Sequence, residues 1–243
     1  MICVLAALKS EIEPFLQRLG GLRSWKTHGL ALYEGETGGR RVRVVKTGIG
    51  KKNIGPETVA GCTLLVSTGF CGALVPGIAA GDIVLSTATG SAASTSREGE
   101  GPPAPVTGGS SAAFLPAGCP DSLAAFAERA AGECSVAMRR GPTVTADRIV
   151  RTPAEKAKLH EETGAIAVDM EDFHRLGLAR AAGLPFVSLR VVLDELGERI
   201  PGVADPFRLP GDLARLLKKT GPCGRSLAVF LVRFFEKFEM GCN

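Results

Sequence analysis

Aromatic residues are scarce in this 243-residue chain, which has one Trp, one Tyr and eleven Phe. A surface that stacks bases along a nucleic-acid strand needs more aromatic area than that, so nucleic acid is not an expected partner. Histidine is scarcer still, and His28, His160 and His174 show no ligand spacing with Cys3, Cys62, Cys71, Cys119, Cys134, Cys223 and Cys242. These seven cysteines are odd in number, scattered and without a CxxC pair. They argue against a disulfide framework or a zinc site and fit free thiols in a reducing compartment. No run approaches the roughly 20 apolar residues that span a bilayer. Met1 leads straight into an apolar Ile2–Leu5 run rather than a targeting segment, so a cytoplasmic chain without stable membrane insertion is expected. There is no P-loop and no complete G-x-G-x-x-G, which removes the usual phosphate and dinucleotide signatures.

The composition is that of a globular domain, with 45% apolar and 22% charged residues, and the length suits one α/β domain over residues 1–243. The net charge of +4 is concentrated in residues 206–243, where seven Lys/Arg face three acids. Within this basic tail, Leu227–Phe238 is apolar around most of its circumference, with Arg225, Arg233 and Lys237 interspersed. Such a helix either docks on the sheet or an interface between copies, or lies peripherally on a membrane surface.

Periodicity predicts a buried strand at Ile2–Ala7 and a helix over Lys9–Leu19 with Ile12, Phe15, Leu16 and Leu19 on one face. Strands follow at Leu30–Glu34, Arg41–Lys46, Thr63–Ser67 and Asp82–Ser86, with glycine-rich turns at 47–51 and 68–72. The alternation of strand, glycine turn, then helix or strand favours a mostly parallel sheet. Gly90–Ala117, dominated by Gly, Ser, Ala, Pro and Thr, reads as a long loop. Asp121–Glu133 predicts a helix and Val136–Val144 a strand. Thr152-Pro153 is a helix start, with Thr as N-cap and Pro at the first position. Two helices, Gly211–Lys219 and Gly224–Phe238, are expected at the end.

The chemistry concentrates between Ala167 and Glu195. One apolar run ends in Asp169-Met170-Glu171; a helical segment closed by Gly183-Leu184-Pro185 follows; a second apolar run then delivers Arg190 and Asp194. Carboxylates thus stand at the C-terminal ends of two successive strands, the edge of an α/β sheet where ligands bind. Glu11, in the first turn of the first helix, is favoured there by the helix dipole alone and is also a candidate acid or base.

Five segments occur in a recognisable order: AALKSE, VVKTGIGK, STGFCGAL, AVDMED and VSLRVVLDE. With them the chain resembles the nucleoside phosphorylase/nucleosidase superfamily over most of residues 1–200, in particular its methylthioadenosine/S-adenosylhomocysteine nucleosidases. The resemblance implies a three-layer α/β/α fold around a mixed, partly closed sheet, and cleavage of the N-glycosidic bond of a purine ribonucleoside, 5′-modified adenosines included. It implies that Asp194 protonates the leaving base, that Arg190 fixes the loop or the acid, and that Met170 and Glu171 hold the ribose. Gly69, Phe70, Ile149 and Val150 are implied to border the substrate, and Glu11 to activate water. Where the family's phosphorylases carry a phosphate-binding Arg and a small hydroxyl residue, this chain has Ser67 and Phe70, and only Lys9, Lys46 and Lys51 are nearby cations; hydrolysis is therefore expected over phosphorolysis. A homo-oligomer and a small-molecule nucleoside partner are implied, and no metal or organic cofactor. Two rivals stand beside this reading. One is a phosphorylase of a purine nucleoside or of an adenosyl lipid such as a hopanoid precursor, since the tail loosely resembles that of hopanoid-associated members; the other is a nucleoside-binding descendant without turnover.

Overall fold

A computed structural model describes residues 1–50, 54–92, 114–117, 119–201 and 209–238, with the backbone alone over 209–213. In chain order the elements are β1 (Ile2–Ala6), α1 (Lys9–Leu16), β2 (Gly20–Thr27), β3 (Leu30–Thr37), β4 (Arg40–Lys46), β5 (Leu64–Ala73), β6 (Ile83–Ala92), β7 (Phe114–Pro116), α2 (Asp121–Glu133), β8 (Met138–Ala146), α3 (Pro153–Thr163), β9 (Ala167–Asp169), α4 (Asp172–Ala181), β10 (Phe186–Asp194) and α5 (Leu209–Lys237). All ten strands belong to one sheet, with β10 pairing both β6 and β5. The ring β5-β10-β6-β8-β9 therefore closes on itself, while β1, β4, β3 and β2 extend from β5 as an open wing.

Half of the pairings are parallel (β1–β4, β1–β5, β5–β10, β6–β8, β8–β9) and half antiparallel. The mostly parallel sheet expected from glycine-turn alternation is thus corrected to the mixed, partly closed sheet that the family resemblance implied. The antiparallel pairs are the two ring contacts β10–β6 and β5–β9, the β2–β3–β4 wing and β6–β7, whose short or reversing connections a strand–turn alternation alone does not distinguish.

β1 shows why the strands read as continuous apolar runs. Val4 and Ala6 face one core, shared with Ile12 and Phe15 of α1 and with Phe230 and Phe234 of α5, while Cys3 and Leu5 face the other, shared with Leu176 and Ala179 of α4. A strand covered on both faces has no polar side to display.

Other boundaries differ from the sequence expectation for identifiable reasons. β2 was not foreseen, because it is an edge strand exposed along nearly its whole length and so carries no alternation. Residues 68–72 are not a turn; they continue β5 as strand. Ala88–Gly90 and Phe114–Pro116 pair with each other, so strand reaches into both ends of the expected 90–117 loop, whose remainder lies outside the described residues. The two C-terminal helices are one, running through Pro222. A proline inside a helix costs roughly 3 kcal/mol, which the burial of this helix offsets. Gly224 permits its close approach, since a Cβ there would stand 2.8 Å from the Ser10 carbonyl oxygen.

The apolar face of Leu227–Phe238 is spent on the core: Leu227, Phe230, Leu231, Phe234 and Phe235 are fully buried against α1, α2 and the sheet. That face is therefore not available to a membrane surface, and the peripheral contact considered from the sequence is replaced by docking. No described helix is long and apolar enough to cross a membrane.

Phe234 packs on Phe230, Phe235 and Phe238 at ring separations of 5.4–6.3 Å. Its truncation, Phe234→Ala, is expected to cost about 3–5 kcal/mol of stability, read from the shift of the urea denaturation midpoint at unchanged slope.

Candidate active site

Two strand ends and one helix start meet around a cavity of about 200 Å³. Its polar wall is formed by Glu11, Asp169, Glu171 and Asp194, and much of the remainder by apolar side chains such as Phe70, Met170 and Leu193. Ile149 and Val150, just past the end of β8, border it as well.

Glu11 is third in α1 and folds back over the helix start. Its Oε2 accepts from the backbone N–H groups of Ala7 (2.9 Å) and Leu8 (2.7 Å), and its Oε1 from that of Phe70 (3.0 Å). This is the geometry that a helix N-terminus offers an anion. Burial raises the Glu11 carboxyl above its ordinary range, and the donors from Leu8 and Phe70 only partly oppose that.

The glycines of β5 explain themselves here. Gly69 has φ +141°, and a Cβ on it would stand 2.7 Å from Glu11 Oε1. Gly72 pairs with Asp194 across the sheet, where a Cβ would stand 2.9 Å from Asp194 Oδ2. Two carboxylates approach one strand, and only glycine leaves them the space. A register shift between Val192 and Asp194 accompanies this pairing, an irregularity of the kind that re-aims side chains near sites.

Below the cavity lies a charge cluster centred on Arg190, itself 1% exposed. Its Nε and Nη2 donate to the two oxygens of Asp172 (3.1 and 2.6 Å), and Nη1 donates to Glu171 Oε2 (3.2 Å) and to the Phe70 carbonyl (3.1 Å). Glu171 Oε1 accepts from the Gly50 N–H at 3.0 Å, so the carboxylate is held from both sides. Arg190 thus fixes Glu171 and does not border the cavity. Burial alone would raise Asp172. Arg190 and Arg175, with the hydroxyls of Ser188 and Ser67 (2.5 Å each), outweigh it and hold this carboxyl well below the usual range. Arg175 is also buried and donates to Ser67 Oγ (2.9 Å), Thr47 Oγ1 (3.0 Å) and the carbonyls of Leu5 and Thr68.

Asp169 completes the turn. Its Oδ1 accepts from Thr145 Oγ1 and from the N–H groups of Glu171 and Asp172 at 2.7–2.9 Å, while its buried Oδ2 has no protein partner among the described residues. Burial first, and then the charge of Asp172, push this carboxyl up to about 7.

Asp194 ends β10 at the cavity wall, 5% exposed. Its Oδ2 lacks a hydrogen bond of ordinary angle, but Lys156 Nζ stands 2.5 Å away as its ion-pair partner. Lys156 enters from α3, whose start is fixed as foreseen by Thr152 and Glu155 in a reciprocal cap with Pro153 at the first position. Burial raises Asp194, and Lys156 opposes the rise without cancelling it.

The structure therefore gathers Glu11, Phe70, Ile149, Val150, Met170, Glu171 and Asp194 around one cavity, with Gly69 directly behind Glu11. Of the lysines considered as anion donors, Lys9 is exposed and paired with Glu13 at 3.0 Å, Lys46 lies outside the cavity lining, and Lys51 falls outside the described residues. Among the described lining residues the one cation is Arg148, which pairs with Glu155 at 2.8 Å. Sequence reasoning missed Lys156, Asp172 and Arg175. Three carboxylates within four residues at a sheet edge do signal a buried counter-ion. A buried lysine on a polar helix gives no signal of its own.

A sequence profile of the phosphorylase superfamily matches residues 1–216. Among solved structures, the chain is similar to 5′-methylthioadenosine/S-adenosylhomocysteine nucleosidase from Neisseria meningitidis in complex with methylthio-immucillin-A (22% identity, TM-score 0.78, 98% of this chain and 99% of that one). It is similar also to the corresponding nucleosidase of Campylobacter jejuni (23%, 0.76, 98% and 99%) and to a futalosine hydrolase mutant of Helicobacter pylori (20%, 0.77, 98% and 99%). At these identities the likeness is one of fold.

Two outcomes are expected from the charge cluster. Arg190→Met leaves buried carboxylates without their cation and is expected to destabilise the fold by about 3–5 kcal/mol in chemical denaturation. Asp169 binds its proton more tightly folded than unfolded, where an aspartate titrates near ~4. Its contribution to stability is therefore full below that pH and is lost as pH rises toward about 7. Asp169→Asn should remove this downward component from the stability profile between those limits, measured as denaturation midpoint against pH.

Proposed function

The chain belongs to the phosphorylase superfamily, and from that premise we propose that it is a nucleosidase, hydrolysing the N-glycosidic bond of a purine ribonucleoside. The observation that carries the proposal is the convergence of Glu11, Glu171 and Asp194 on one cavity from three separate parts of the chain. The nucleosidases and the futalosine hydrolase with which it shares its fold over nearly their whole length support the same reaction class.

The bond breaks through a transition state with positive charge on the ribose and negative charge moving into the base, so an acid must meet the base and a carboxylate must face the sugar. Asp194, kept up by burial, gives its proton to a purine ring nitrogen. Glu171, locked between Arg190 and the Gly50 N–H, accepts from the ribose hydroxyls, and Met170 packs beneath the ring. Glu11, raised by burial, accepts the proton of the attacking water. Water is favoured over phosphate because the described lining residues offer one cation, Arg148, and that one is paired. The cavity lining includes the exposed apolar side chains of Leu8 and Ile49, which suits an apolar 5′ substituent over a charged one.

Incubation with adenosine and with 5′-alkylthio-adenosines should release free base and free ribose at a rate that added phosphate leaves unchanged. Ribose 1-phosphate as product would make the enzyme a phosphorylase; tight nucleoside binding in calorimetry with no base release would make it a binding protein. Asp194→Asn is expected to lower kcat/KM for adenosine-type substrates by about 10²–10⁴-fold, the usual worth of a positioned acid.

A further inference from the structure

Lys156 is the one fully buried lysine among the described residues. Its Nζ donates to the carbonyls of Glu195 (2.6 Å) and Glu198 (3.1 Å), and the third contact is Asp194 Oδ2 at 2.5 Å. An ammonium has three N–H groups; the two carbonyls take two of them, and the ion pair with Asp194 is the remaining contact. A lysine required only to tie the loop after β10 to α3 would be served by the carbonyls. The contact to Asp194 reaches the group at the cavity wall instead. Other charged or titratable groups stand near Asp194: Glu198 and Arg199 from that loop, Arg215 and Lys219 from α5, and Cys71 from β5, with Glu11, Asp169 and Glu171 on the same cavity lining. Lys219 is held by Glu198 at 2.5 Å, and Lys156 is in direct ion-pair contact with Asp194.

We propose that Lys156 is the positioning residue of the leaving-group acid: its ammonium holds Oδ2, turns the other carboxyl oxygen toward the leaving base, and balances the carboxylate that proton donation creates. The inference rests on the nucleosidase reading and deepens it. In the step, the Asp194 O–H bond breaks and an N–H bond forms on the base. The electron pair of the glycosidic bond leaves with the base, and the negative charge that remains on Asp194 lies beside an ammonium that keeps all three protons. Burial without the cation would make Asp194 a reluctant donor, and the cation without burial would leave it ionised beforehand. Their opposition keeps the proton available and its departure favourable.

The test uses Lys156→Met, Lys156→Gln and Lys156→Arg in the full chain. The carboxyl of Asp194 is followed by ¹³C NMR titration, assigned by its loss in Asp194→Asn. The pH dependence of kcat/KM is measured on adenosine and on 4-nitrophenyl riboside, whose leaving group needs no proton. Removing the cation destabilises the carboxylate, so the Asp194 midpoint and the basic limb on adenosine should both move up by about one pH unit or more in the Met and Gln variants. Turnover of adenosine at the low-pH plateau should fall roughly tenfold, while 4-nitrophenyl riboside changes by less than about twofold. Arg should return the limb toward its original position. An unmoved Asp194 midpoint, or an equal loss on both substrates with no shift of the limb, would overturn the proposal and leave Lys156 as a structural tie. Failure of the unmodified protein to release base from any nucleoside would sink the nucleosidase reading instead, and the NMR titration would still decide the pairing.

Discussion

Everything at the cavity floor depends on one buried guanidinium. Arg190 faces Asp172, Glu171 and, at 3.7 Å, Asp169, three carboxylates packed into four consecutive residues. Without a cation of fixed shape, that much negative charge could not be taken out of water. A lysine could neutralise one partner; the forked guanidinium grips both oxygens of Asp172, reaches Glu171 with its third nitrogen, and touches the Phe70 carbonyl as well. The turn between β9 and α4 is thereby locked to β5 and β10, and Glu171 has one orientation available. Asp172 and Arg175 extend the lock through Ser67, Ser188 and Thr47. Ser67 thus serves the structure of the floor, where the family's phosphorylases place an arginine for their anion.

The second constraint is space. β5 runs through the middle of the site, and two of its residues have no side chain because Glu11 and Asp194 lie where a Cβ would be. The closed ring of strands makes this crowding unavoidable, since β10 must lie beside β5 along its whole length. The same crowding removes water from both carboxylates and raises both, though their surroundings differ. Glu11 is met by backbone N–H groups at a helix start, and Asp194 by a lysine. Two acids in one cavity with unlike partners is the condition for giving one the part of base and the other the part of acid.

Much of this was legible in the sequence. The strand-end carboxylates Glu171 and Asp194, the helix-start Glu11, the Thr152 cap and the apolar pair Ile149-Val150 all lie where pattern and motif put them. The glycines Gly69 and Gly72 were visible but were read as a turn, because a glycine that makes room for a distant side chain looks the same in sequence as one that reverses the chain. β2 carries no apolar period because it is an exposed edge strand, and the two helices expected at the end are one through Pro222 because burial outweighs the local cost of a proline.

The sequence alone therefore determined the family, several of the buried strands and helices, and the identity of the carboxylates, since these are written in residue type and spacing along the chain. Tertiary structure alone decided that Arg190 serves Glu171 and Asp172 rather than Asp194, that Lys156 stands against Asp194, and that the apolar tail is core rather than surface. The reason is physical. A buried charge is defined by partners brought from 38 residues away, as with Lys156 and Asp194, or from across the sheet, and no local pattern records which of many cations folding will bring within 2.5 Å.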